Sequence, residues 1–306
     1  MKKSSLLFIG ILLAGFAAKA QDPQFTQTYA NPLYLNPAFA GTDTVQRIGV
    51  NFRDQWSGDY VTYGFSYDRN IIDSNLSIGI LAYQDREGGT PPPIINTTAS
   101  LVMGYQFHIK TFTLSAALKA TYLQVNLNPS ILHLAYQPNN RTSNADFSTG
   151  LLGYDKYCFF GFAIEHFTEP VESLMIGGGS QLQMKFTFNV GGMIPIGSMT
   201  LSPTLTCIKQ GDAYMTVAEL YLISKYVTAG LGYHFGDPWT TGNSLTFTLG
   251  LQYKQFRLGY SYDYTSLENW GPTNGILSTN EVSLALVLPY KSAKYKKTRG
   301  ISYPHF

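Results

Sequence analysis

FTLSAALKATY, residues 112–122, alternates without a slip: Phe112, Leu114, Ala116, Leu118, Ala120 and Tyr122 keep one phase, and Thr113, Ser115, Ala117, Lys119 and Thr121 keep the other. Successive side chains of a strand point to opposite faces, so this two-residue period predicts a β-strand with one apolar and one polar side. The pattern recurs in LQMKFTFNV, residues 182–190, and in FRLGYSYDY, residues 256–264. A soluble sheet needs strands of only ~5–6 residues, whereas a tilted strand crossing a bilayer needs ~9–11, and these runs approach the longer figure.

About fourteen such segments fall along the chain, starting near Val45, Tyr60, Leu76, Thr97, Phe112, Ser148, Cys158, Leu182, Met199, Ala213, Tyr226, Ser244, Phe256 and Asn280, with bounds good to a few residues. Their connections sort by length. Long ones run over 84–93 (QDREGGTPPP), 126–146, 167–181 and 265–279, while HIKT at 108–111, DKY at 155–157, PIGS at 195–198 and YKQ at 253–255 are tight turns. Long loops at one rim and short turns at the other are expected of an outer-membrane barrel, whose short turns face the periplasm. A secreted β-sandwich shares the alternation but has no reason to sort its connections.

Composition agrees. Charged residues make up 13% of the 306, against a usual ~25%, while 22 Tyr and 19 Phe bring aromatics to 14%. Mean hydropathy is −0.05, so the chain is not built of apolar helices. A net charge of +2 is too mild to argue for a nucleic-acid partner.

Residues 1–20 read as a signal peptide. Lys2 and Lys3 precede an apolar run, Leu6–Phe16, which is too short to span a bilayer, and Ala18-Lys19-Ala20 is a small-x-small cleavage site before Gln21. The next stretch, QDPQFTQTYANPLYLNPAFAGT at 21–42, is nearly free of charge and broken by Pro23, Pro32 and Pro37. Asp22-Pro23 is the signature of an N-cap and first turn, predicting a short helix with Phe25 and Tyr29 on one face and a stop at Asn31-Pro32. Asn36-Pro37, with Gly41 beyond, predicts another single turn that carries Phe39. Residues 21–44 are expected to form an irregular plug against the inner wall or periplasmic mouth of a barrel spanning 45–290, since irregular backbone at membrane depth needs protein around it. The plainer alternative is an exported linker.

Chemistry motifs are missing: no GxxxxGK[ST], GxSxG, HExxH or CxxC occurs, and no catalytic residue, cofactor or metal site is expected. His108, His133, His166, His234 and His305 are scattered, and Cys158 and Cys207 sit in separate strands, so a bridge between them depends on the fold. Arg53, Asp68, Lys119, Lys185, Glu219, Arg257, Asp263 and Glu281 lie on the polar phase of their strands and are expected to pair across a narrow lumen, although a conduction path would use the same phase. Tyr34, Trp56, Tyr60, Trp239 and Trp270 are expected in aromatic girdles. Lys291, Lys294, Lys296, Lys297 and Arg299 form a basic tail, 291–306, beyond the last strand; with both termini expected in the periplasm, it is placed to meet an acidic partner or anionic lipid.

The opening stretch at 21–42 resembles the start of the PorP/SprF family of Bacteroidota outer-membrane proteins. FRDQWSGDYVTYGFSYD at 52–68, RLGYSYDYTSLENWGPTNG at 257–275 and the tail KYKKTRGISYPHF are similar to that family as well. Two positions depart from its pattern: Tyr303 stands where the family carries Cys, and Asn280-Glu281 stands for His-Glu. The resemblance implies an outer-membrane accessory of type IX secretion that meets outer-membrane lipid, periplasmic peptidoglycan-linked components and a secreted surface protein such as a gliding adhesin. NPAFAG at 36–41 also resembles the hatch of FadL-type channels, which implies the alternative of a channel for hydrophobic compounds.

Overall fold

The computed structural model describes residues 22–42, 45–71, 74–128, 140–172, 181–236, 243–266 and 276–289. Its strands are β1 (Val45–Gln55), β2 (Tyr60–Asn70), β3 (Leu76–Glu87), β4 (Ile94–Ile109), β5 (Phe112–Leu127), β6 (Arg141–Tyr154), β7 (Cys158–Glu165) and β8 (Lys185–Gly192). There follow β9 (Ile194–Ile196), β10 (Met199–Gln210), β11 (Ala213–Ile223), β12 (Val227–Gly236), β13 (Ser244–Tyr253), β14 (Phe256–Ser266) and β15 (Ile276–Pro289). Each pairs antiparallel with its neighbours, β1 pairs with β15, and β10 pairs with β11, so the sheet closes on itself.

β8 and β9 are two halves of one strand, and the closed barrel therefore has fourteen. Both halves pair with β10 in one unbroken register, Thr204↔Gly191 on one side of the break and Leu201↔Ile194 on the other. The rungs that drop out lie opposite Pro203, which has no N–H to give to the ladder. On its other side the strand stays paired through the break, the Met193 N–H bonding to the carbonyl of Tyr157 at 2.7 Å as the next rung of the β7–β8 ladder.

The alternation is inverted relative to a soluble protein. On β4, Leu101, Met103, Tyr105 and Phe107 face outward and are exposed, whereas Val102 and Gln106 face inward and are buried. β12 and β13 repeat the arrangement, with Leu231, Phe235, Phe247 and Leu249 outward and Thr228, His234, Thr246 and Thr248 inward. An apolar outer wall suits hydrocarbon, and a polar inner wall needs water or partners. Closure also removes every sheet edge.

Ten of the expected strand starts fall within a residue of those observed; the rest shift for local reasons. β4, β6 and β15 begin three to seven residues early, at Ile94, Arg141 and Ile276. Their extra residues prolong the ladder at the long-connection rim, where apolar alternation is not required. β8 begins late, at Lys185, because Leu182 is already committed to the β7–β8 connection, its N–H bonded to the carbonyl of Pro170 at 3.0 Å. The long connections share one rim, with two exceptions, the four-residue turn 56–59 between β1 and β2 and the two-residue turn Gly211–Asp212 between β10 and β11. Cys158 and Cys207 carry free thiols.

Candidate functional site

Residues 22–42 lie along the inner wall and are buried from Phe25 to Gln27 and again from Asn31 to Thr42. The helix expected from Asp22-Pro23 does not form. Asp22–Gln27 is irregular backbone, and the first turn of any kind is a 3-10 turn at Thr28–Ala30. A single α-turn, α1 (Pro32–Leu35), follows, then a 3-10 turn at Pro37–Phe39. The last was legible: Asn36 Oδ1 accepts the Ala38 N–H at 2.9 Å, and Gly41 ends the stretch at φ +65°. Asp22 does not cap because its carboxylate is held elsewhere.

The segment bonds to strands all round the barrel, from rim to rim. The Asp22 N–H reaches Gln210 Oε1, at the end of β10, at 3.2 Å. Thr26 donates its backbone N–H to Glu281 Oε2 (2.6 Å) and its hydroxyl to Asp263 Oδ2 (2.5 Å). Thr28 Oγ1 donates to Glu219 Oε2 at 2.6 Å. Asn36 Nδ2 donates to the carbonyls of Leu151 and Phe162, at 3.1 and 3.3 Å. At the short-turn end the Gly41 N–H meets Asp68 Oδ2 at 2.9 Å, and Gln106 Nε2 meets the Gly41 carbonyl at 3.0 Å. Asn31 Nδ2 makes no hydrogen bond among the described residues and borders a cavity of about 40 Å³ shared with Lys185 and Gln210.

Apolar side chains fill the rest. Tyr29, Leu33 and Phe39 pack with Val102, Leu152, Phe159 and Tyr221, with Tyr29 edge-on to Tyr221 at 5.3 Å. Tyr34, expected both among the residues of the 21–44 segment and in an aromatic girdle, is a lumen residue packed edge-on to Phe25 (5.0 Å) and Tyr83 (5.5 Å) and takes no part in a girdle. It belongs to the segment rather than to the wall, so its ring seals an interior contact. Trp56 and Tyr60 flank the β1–β2 turn, edge to face at 5.4 Å, while Trp239 and Trp270 lie outside the described residues. The wall is cut to receive the segment: a β-carbon on Gly150 would lie 2.0 Å from Asn36 Oδ1, and one on Gly259 would lie 2.7 Å from Gln27 Oε1.

The strand charges are buried, as their phase implies, except for Arg257, which is half-buried. Asp68 pairs with Arg47 at 3.0 Å, Arg53 donates to Gln55 Oε1 at 2.6 Å, and Glu219, Asp263 and Glu281 hold the N-terminal segment. Lys119 pairs with Glu165, which also takes Lys185 at 2.6 Å. Lys185 reaches Asp22 at 2.5 Å, and His166 bridges Asp22 (2.9 Å) to Asp146 (2.8 Å). Burial opposes ionisation of Asp22, but His166 and Lys185 outweigh it and hold the carboxyl well below the usual range. Burial likewise opposes protonation of His166, and the two carboxylates overcome it, raising its pKa to about 9. The imidazole is therefore a cation at neutral pH and donates from both nitrogens.

Arg47, Asp146 and Glu165 are not among the residues named from the sequence, where Asp22 reads only as a cap and His166 only as one of five scattered histidines. Arg47 was legible, since it shares the phase of Arg53 on β1 while Ile48, Val50 and Phe52 take the other; on β7 Phe159, Gly161, Ala163 and Glu165 share the inward phase, but its small apolar members disguise that face. Among the described residues no group of three or more His, Cys, Asp or Glu is placed to hold a metal ion. Lys291, Lys294, Lys296, Lys297 and Arg299 lie outside the described residues.

A family profile described as "Type IX secretion system membrane protein PorP/SprF" matches residues 17–279. The chain belongs to the PorP/SprF family. Family membership and fold together make it an outer-membrane β-barrel associated with type IX secretion. Among solved structures it is similar to the toluene transporter TbuX of Ralstonia pickettii (TM-score 0.51, 8% identity, 85% of this chain and 94% of that one). It is also similar to the toluene transporter TodX of Pseudomonas putida (TM-score 0.51, 9% identity, 89% and 95%). At such identities the likeness is one of fold. No curated protein matches the sequence.

Proposed function

We propose that this PorP/SprF member is an accessory and anchoring barrel of type IX secretion, which helps to secrete a partner such as a gliding adhesin or retains it at the cell surface. In this reading residues 1–20 are removed as a leader, and residues 21–44 form a plug. The long connections face the exterior and receive the secreted protein. The short turns and the basic tail face periplasmic, peptidoglycan-linked components.

The observation that carries the choice of anchor over channel is the N-terminal segment, whose hydrogen bonds run to β2, β4, β6, β7, β10, β11, β14 and β15. A passage for hydrophobic compounds needs a continuous apolar path. Here the inner wall is lined by Ser, Thr, Asn and ion pairs, and a well-bonded segment runs between its rims. The test deletes residues 22–41. The shortened barrel is expected to remain inserted, because its strand ladder closes without the segment, and to lose retention of type IX cargo at the cell surface. Undiminished retention overturns the anchoring role. Saturable uptake of labelled toluene or fatty acid by liposomes carrying the intact chain favours the channel instead.

A further inference from the structure

We infer that the mature N-terminus faces the cell exterior, at the rim of the long connections, and that the chain reaches it by threading the lumen from the periplasmic side. The inference rests on the orientation and leader cleavage proposed above. Its evidence is the order in which the segment meets the wall. Gly41 is bonded to Asp68 and Gln106, near the short-turn ends of β2 and β4. Asn36 meets Leu151 and Phe162, further up β6 and β7. Thr28 meets Glu219 midway along β11, and Thr26 meets Asp263 and Glu281, nearer the long-connection ends of β14 and β15.

Asp22 completes the series. Its three partners are Gln210, the last residue of β10, His166, the first residue after β7, and Lys185, the first residue of β8, and all stand at the long-connection rim. Because β1 begins at the opposite rim, paired with the end of β15, some twenty residues cross the whole depth of the barrel. A chain end created just before Asp22 therefore lies at the outer rim. The expectation that both termini share the short-turn rim is replaced for the N-terminus.

This geometry also sets an order of events. The crossing end must be free to pass through a lumen whose wall is already cut to the segment. Endoproteolytic removal of the leader, which hydrolyses the peptide bond before Gln21 and leaves a new α-amino group, therefore supplies the chain that can be seated. A retained leader would carry Lys2, Lys3 and an apolar run to the outer rim.

Three derivatives test the inference in intact cells. Epitope tags go between Gly88 and Gly89 at the long-connection rim and between Gly197 and Ser198 at the short-turn rim. The third carries Gln24→Cys in a Cys158→Ser, Cys207→Ser background and is probed with a membrane-impermeant maleimide. The first tag and the thiol introduced by Gln24→Cys are expected to label on intact cells, and the second tag only after permeabilisation; the intact mass should correspond to a chain starting at Gln21. Failure of the Gln24→Cys derivative to label, under conditions in which intact cells display the first tag, overturns the inference and leaves the orientation standing. Reversal of the two tags, or a mass that retains the leader, overturns the proposed orientation or cleavage and takes the inference with it.

Discussion

Asp22 shows how one residue acquires a role that its neighbours in sequence do not suggest. Next to Pro23 it has the look of a helix cap, yet burial beside His166 and Lys185 turns it into the anion of a rim clamp. The two ionisations set the pH range of that clamp. The folded pKa of His166 is raised to about 9, so its contribution is complete below its unfolded value of ~6.5 and is lost as pH rises through 9. The folded pKa of Asp22 is depressed, so its contribution is present above the unfolded value of ~3.9 and fades as pH falls below it. The clamp is thus strongest between about pH 4 and 6.5. His166→Gln, which removes the buried cation between Asp22 and Asp146 while Asp22 keeps Lys185 and Asp146 keeps Thr168, is expected to destabilise the detergent-solubilised chain by about 3 kcal/mol at pH 6. The gap between variant and parent melting midpoints should narrow above pH 9. A gap that does not vary between pH 6 and 10 would contradict this account.

At the scale of elements, the strands were legible and the turns of the segment only partly so. β5 announces itself in sequence because hydrocarbon on one side and polar partners on the other enforce strict alternation. That force ends at the rim, which is why β6 could not be traced back to Arg141: in RTSNADF no outward apolar series is required. The 3-10 turn at Pro37–Phe39 was readable because Asn-Pro specifies a local bond, whereas Asp22 is governed by residues 144 and 163 positions away. The division of β8 from β9 is local as well, and Pro203 was its overlooked signal. Pro203→Thr, which restores an N–H facing the break, is expected to stabilise the barrel by about 1 kcal/mol. This should appear as a higher temperature for conversion from the folded to the unfolded band on a denaturing gel. No rise, or a fall, would mean that the proline and not the missing rung sets the local stability.

For the whole molecule, the cylinder followed from the sequence, but its interior did not. A polar phase fixes which side chains face inward and leaves open what they meet. Asp263, Glu219 and Glu281 were expected to find cations, and they hold hydroxyls and amides of residues 26–28 instead. If this segment is what fills the cylinder, the intact chain in a planar bilayer should conduct little, and the chain lacking 22–41 should conduct at least several-fold more in steady, large steps. Equal conductance would show that water passes beside the segment. The rim has its own asymmetry in chain length, since β10 and β11 are joined there by Gly211 and Asp212 alone while residues 166–184 join β7 to β8. A body approaching the wall there meets the least intervening chain. Unequal spans of this kind favour one rotation of a docked protein about the barrel axis, and Gln210, which holds Asp22, stands beside the shortest of them.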